Sequence, residues 1–199
     1  MEAYQRPRTP LVVWLLTGSI VLAYLAYVFA PADTQRFIEF TFALIPERFH
    51  ADSPYRFQHW WEAFGPLLGH TFLHTGWLHL GANALFLFGA SRWPALRLGT
   101  TRYLVVYLSA VLTGAAVFLA LNWNAEAVAV GASGGVCGMI TAFFFSTRRT
   151  WREALADPQV RGPLGALFVL NVVVMGIASK AGIFPIAWEA HLGGFVGGG

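Results

Sequence analysis

The chain has 199 residues, 56% of them hydrophobic and only 12% charged, with a formal net charge of +3. A soluble domain carries about 25% charged residues, so the composition points to an integral membrane protein. The basic residues stand in short clusters between apolar runs, which excludes a nucleic-acid surface, and the lone Cys137 excludes an intrachain disulfide and a cysteine-based zinc site.

Residues 11–30, LVVWLLTGSIVLAYLAYVFA, form a charge-free run. As a helix it is long enough to cross the roughly 30 Å hydrocarbon core. APA at 30–32 resembles a signal-peptidase site. Cleaved signals have a shorter apolar run of about 7–15 residues, so a retained first span is expected. Residues 31–70 read as a long loop. Further spans are expected at about 77–91, 103–121, 130–147 and 163–179, with a sixth starting near 187. Trp60, Trp61, Trp77 and Trp123 fall near span ends, where interfacial aromatics collect. The fold class is therefore all-α, a polytopic six-transmembrane-helix bundle within one domain, 1–199.

Charge sets the orientation. Arg6 and Arg8, then Arg92, Arg97 and Arg102, then Arg148, Arg149, Arg152 and Arg161 account for nine of the 13 basic residues. All lie at the N-terminus or in the 2–3 and 4–5 loops. In the 1–2 loop Arg36, Arg48 and Arg56 are outweighed by Asp33, Glu39, Glu47, Asp52 and Glu62. The positive-inside rule then puts the N-terminus in the cytoplasm. Spans 2, 4 and 6 run inward, so His79, Asn83, Ser133 and His191, early in those spans, share one depth in the outer part of the membrane.

Polar groups at that depth are costly and need partners or a watery cavity. Ser133 in GASGGVCG could be a packing serine at a helix contact. Gly134 and Gly138 bare one face of its helix, and Gly193, Gly194, Gly197 and Gly198 bare a face beside His191. Two bare faces let helices approach closely, which would bring Ser133 and His191 within hydrogen-bond reach as nucleophile and base. The alternative is glycine packing without chemistry. His79 and Asn83 are four residues apart and share a helical face. With the Ser133 backbone N–H they could stabilise a developing oxyanion, or simply bond neighbouring helices. His70 reads as a solvated histidine at the interface. Glu189 is expected to point to outer water, leaving a Ser–His dyad without a carboxylate. Cys137 shares the face of Ser133 and reads as a small buried packing residue. The histidines show no metal-ligand spacing such as H-E-x-x-H, and no metal is expected.

HTGWLHLGAN (74–83), GASGG (131–135) and AHLGGFVGG (190–198), in that order, resemble the rhomboid family of intramembrane serine proteases. The resemblance covers roughly residues 55–199. It implies Ser133 as nucleophile, His191 as general base, and His79 and Asn83 as the oxyanion-stabilising pair. His74, Gly131 and Gly134 would line the active-site cavity. It also implies a six-helix bundle, a first loop partly in the outer leaflet, no cofactor, and single-span transmembrane proteins as substrates within the membrane lipid. The chain departs from the family pattern in two places. QHWWEAF lacks the arginine of a common Trp-Arg pair, and FGASRWPALRLG lacks a common glutamate. The thirteen residues from Ala187 to Gly199 would span about 20 Å of helix, so the last helix is expected to be truncated here and to continue beyond Gly199. A bacterial inner membrane fits the charge bias. Two alternatives stand beside the protease: a catalytically inactive rhomboid-like protein that binds membrane clients, and a solute or proton pathway lined by the histidines.

Overall fold

The computed structural model describes residues 8–146, 150–183 and 186–199. Arg6, Thr147, Arg148 and Arg149, used above for charge and span ends, lie outside the described residues. Helix α1 is Leu11–Val28, preceded by Pro10, a residue that starts helices readily because it lacks an N–H to leave unpaired.

The 31–70 stretch, expected as a loop, is largely built of short helices. Helix α2 is Ala32–Phe42 and α3 is Phe64–Gly69, with 3₁₀ turns at Pro46–Phe49, Trp60–Ala63 and His70–Phe72. Gln35 reaches back to the carbonyls of Val28 and Ala30, 3.2 and 2.9 Å away, and so ties α2 to the end of α1. No residue of α2 is buried within the chain. Arg48 holds the other end. Its guanidinium is buried, donates to the carbonyls of Phe40 and Thr41, and lies 4.4 Å from the ring centres of both Phe40 and Phe57. Leu44 and Ala129 exchange two backbone hydrogen bonds of 3.0 Å, so this segment is fastened to the stretch before Ser133.

Residues 92–102, expected as a loop, are helical instead. Helix α4 runs Trp77–Leu121 and bends at Gly99, whose φ of 73° no side chain would favour. Its first arm is 77–98 and its second 100–121. Tyr103 Oη donates to Ser91 Oγ at 3.0 Å across the bend, and both residues are buried. The arginines assigned to a loop are tolerated because long basic side chains extend to the interface, and membrane helices accommodate Pro94.

Helix α5 is Ser133–Phe145, α6 Trp151–Ala156 and α7 Pro158–Phe168. A π-helical turn, Val169–Val174, joins α7 to α8, Met175–Lys180, and α9 is Trp188–Gly197. Among the described residues, three helical stretches are long and apolar enough to cross a membrane: Leu11–Val28, Trp77–Leu121 and Pro158–Lys180.

Helix α9 is wedged between the second arm of α4 and α5. Gly193 and Gly197 face Thr113, Gly114 and Ala110 of α4, while Gly194 and Gly198 face Gly134 and Gly138 of α5. Two glycine stripes, one residue out of step, thus serve two neighbours. The bare face expected on α9 serves α4 as well as α5. Thr113 Oγ1 donates to Gly193 O at 2.9 Å and Thr141 Oγ1 to Phe195 O at 3.0 Å. Interhelical bonds of this kind in membranes contribute about 0.6–2 kcal/mol each.

Candidate active site

Ser133 is the first residue of α5 and is half-buried. Its amide lies at the positive end of the helix, where unpaired N–H groups favour negative charge. The turn before it is set by Gly131, at φ 119°. A Cβ on Gly131 would sit 2.7 Å from Cε1 and 2.9 Å from Nε2 of His79. The His79 ring therefore lies against bare backbone two residues before Ser133. Gly131 N–H donates to His70 O at 2.8 Å, fastening this turn to the end of α3.

The His79 tautomer follows from its partners. Thr75 N–H approaches Nδ1 at 3.4 Å and Thr75 Oγ1 stands at 3.1 Å. A backbone N–H can only donate, so Nδ1 accepts and Nε2 carries the proton. That proton faces the Ser133 turn. Asn83 is buried, and its Nδ2 donates to the His79 carbonyl of its own helix at 2.9 Å. One amide hydrogen of the expected oxyanion donor is thus used locally, which leaves the other.

His191 sits on α9, registered by the residue before it. The Ala190 carbonyl nests against the bare faces of Gly114 and Gly134: added Cβ atoms would lie 2.8 and 3.2 Å from it. His191 is buried and its Nδ1 is 3.1 Å from the Asn171 carbonyl. A carbonyl only accepts, so Nδ1 carries the proton and Nε2 keeps its lone pair. Asn171 belongs to the π turn and was missed in the sequence, where every residue offers the same carbonyl. The close approach of α5 and α9 brings the backbone at Gly134 against that at Ala190. No hydrogen bond joins Ser133 Oγ to His191 among the described residues.

His74 is buried and its Nε2 receives the Ala132 N–H through a long bond of 3.5 Å. Its ring meets those of His79 and Tyr24 edge-on, at 5.0 and 6.0 Å between centres. Burial first, and then the neighbouring His79, lower its pKa to about 4. It borders a cavity of about 670 Å³ between α1, α2 and residues 128–130, whose lining includes Arg36 and Glu39. His70 departs from expectation. It is buried rather than solvated, with Nδ1 2.8 Å from the Pro66 carbonyl, and burial lowers its pKa to about 4. Glu189 is also buried, at 9% exposure, rather than standing in outer water, because the first turn of α9 is already packed inside the bundle. Cys137 is buried on the α5 face.

These features define a helical membrane protein with a serine at a helix start, the His74 and His79 rings against the turn before it, and His191 on a helix packed beside it. The chain belongs to the rhomboid family: residues 58–199 match the Rhomboid domain. It is 24% identical over 139 residues to the rhomboid protease GluP of Bacillus subtilis, covering 70% of this chain and 25% of that protein. It is 30% identical over 141 residues to the rhomboid-type protein YdcA of the same organism, covering 70% of this chain and 64% of the relative. The chain therefore spans about a quarter of the length of one relative and just under two thirds of the other.

Proposed function

We propose that the protein is an intramembrane serine endopeptidase that cuts single-span membrane proteins in or near their transmembrane segment. The observation that carries this reading is the seating of His191. Glycine-on-backbone contact places α9 against the start of α5, and the Nδ1 proton is committed to a carbonyl, so the basic nitrogen is the one left for the serine. In this mechanism Ser133 Oγ attacks the scissile carbonyl carbon while His191 Nε2 takes the hydroxyl proton. The carbonyl oxygen becomes an oxyanion, held by the Ser133 amide, the His79 Nε2–H and the remaining Asn83 amide hydrogen. The intermediate collapses, His191 gives the proton to the leaving amine, and the C–N bond breaks. Water, deprotonated by the same nitrogen, then releases the acyl group. Substrate helix must unwind first, because a helical backbone conceals its carbonyls.

The proposed frame is one domain of six spans: α1, the two arms of α4, α5, the α7–α8 stretch and α9. The N-terminus faces the cytoplasm, and the setting is a bacterial inner membrane. The absence of a Ser133–His191 hydrogen bond among the described residues favours one second reading, a membrane-client binder without catalysis. Incubation of purified protein with a single-span test substrate separates the two. The protease reading expects cleavage by wild type and none by Ser133→Ala, together with fluorophosphonate labelling that is lost in His191→Ala. Equal cleavage by wild type and Ser133→Ala removes it.

A further inference from the structure

We infer that the main-chain carbonyl of Asn171, presented by the π turn, is the third member of the catalytic arrangement: a positioning group that fixes the tautomer and orientation of His191. The inference rests on the catalytic reading above. Among the described residues no carboxylate hydrogen-bonds His191, whose Nδ1 meets the Asn171 carbonyl instead. A histidine base needs such a partner at Nδ1, so that Nε2 faces the nucleophile and the imidazolium is stabilised when it forms.

The π turn explains how a helix can supply this partner. In an α-helix an interior carbonyl accepts from the N–H four residues on and keeps a second lone pair for a neighbour, as Gly193 O does toward Thr113. A π turn closes at five residues and disturbs that ladder, and such turns occur often at functional sites. Here the Met175 N–H is shared between the carbonyls on either side of Asn171, those of Leu170 and Val172. The carbonyl between them takes His191 Nδ1 at 3.1 Å.

The packing on both sides of that bond requires the wide turn. Phe168 meets Phe195 edge-on at 5.5 Å, and Gly176 lies under the Trp188 ring, where an added Cβ would be 3.2 Å from it. On α9, Phe195, His191 and Trp188 are spaced four and three apart and share one face. On the opposing stretch, Phe168, Asn171 and Gly176 are spaced three and five apart. In a regular α-helix, five residues rotate the face by about 140°, and Gly176 would turn away from α9. A turn closed at i→i+5 brings it back. One backbone irregularity therefore presents the carbonyl to α9 and keeps the flanking contacts in register.

The test is an ester substitution at Val172, which weakens the Asn171 carbonyl as an acceptor and leaves every side chain in place. The same change at Ala166 in α7 is the control for losing one helix N–H. Fluorophosphonate labelling is followed against pH. The Val172 ester is expected to label about tenfold more slowly than wild type. Its acid limb should move to lower pH, because the carbonyl helps carry the imidazolium. The Ala166 ester should keep the wild-type profile. Equal effects of the two esters, or an unmoved acid limb, overturn the proposal. Nitrogen-15 spectra of histidine-labelled wild type, with His191→Ala to assign the signal, provide a readout independent of catalysis. A proton on Nδ1 supports the assignment, and a proton on Nε2 in the resting protein overturns it. Wild type that takes no label refutes the protease reading, while the spectra still decide the role of the carbonyl.

Discussion

At Gly131 the absence of one methyl group lets the His79 ring lie against the chain. Gly131→Ala would add a Cβ 2.7 Å from that ring at a φ of 119°, so both sterics and backbone strain push His79 away. Loss of one oxyanion donor costs about 10²–10³ in kcat. The variant is expected to fall toward that range while remaining folded, measured as turnover of a single-span test substrate beside its thermal unfolding. Near-wild-type turnover would remove His79 from the oxyanion site. His70 supports a pH prediction. Burial lowers it from 6.5 to about 4, against the Pro66 bond, which favours the charged form. The unfolded chain binds its proton near 6.5 and the folded chain only near 4. Stability from this group is thus complete above about pH 6.5 and is lost as pH falls toward 4, by up to about 3 kcal/mol. His74 adds to the slope in the same window. Thermal unfolding in detergent between pH 8 and 4 should show this fall, and His70→Gln should flatten part of it. The residues proposed for the site were readable because Ser133, His191 and His79 stand in recognisable strings. Asn171 was not, since its contribution is a carbonyl.

Helix α9 depends on what its residues lack. A Cβ on Gly194 would run into the Gly134 carbonyl, a backbone atom that cannot swing aside. Gly194→Ala should therefore separate α5 from α9 at a cost of about 1–3 kcal/mol and abolish labelling of Ser133. Gly18→Ala meets nothing within 4 Å on α1 and should be neutral or stabilising by up to about 1 kcal/mol. Unfolding midpoints of the pair measure the difference, and equal shifts would mean that α9 is not seated as described. Arg48 plays the corresponding part for α2. Its guanidinium caps the last carbonyls of that helix between two rings. Arg48→Ala should cost about 2–3 kcal/mol and raise hydrogen exchange through 32–42, while leaving α7 protected. The sequence offered the glycines of α9 but not their division between two neighbours. Spacing reveals a bare face, whereas only packing reveals how many partners share it. It likewise showed an arginine missing beside Trp60 and Trp61, but not that Arg48 would tie the segment from another position.

For the whole molecule the charge distribution makes a prediction of its own. With Cys137 replaced by alanine, Asp52→Cys should react with an impermeant maleimide in intact cells. Arg152→Cys, on the short α6 before the α7–α8 span, should react only after permeabilisation, since arginine-rich connections stay inside. The opposite pattern would invert the topology. Composition and local strings alone determined that the chain is helical and belongs in a membrane, and they supplied the residues proposed to carry its chemistry. Hydrophobic length and short ordered motifs are properties of the chain itself. They could not reveal that residues 92–102 remain helical around Gly99, that α2 exists, or that His70 and Glu189 are buried. Nor could they reveal that a π turn supplies the partner of His191. Those outcomes depend on which backbone meets which, and a carbonyl or a bare glycine face acquires a role only when another helix arrives against it.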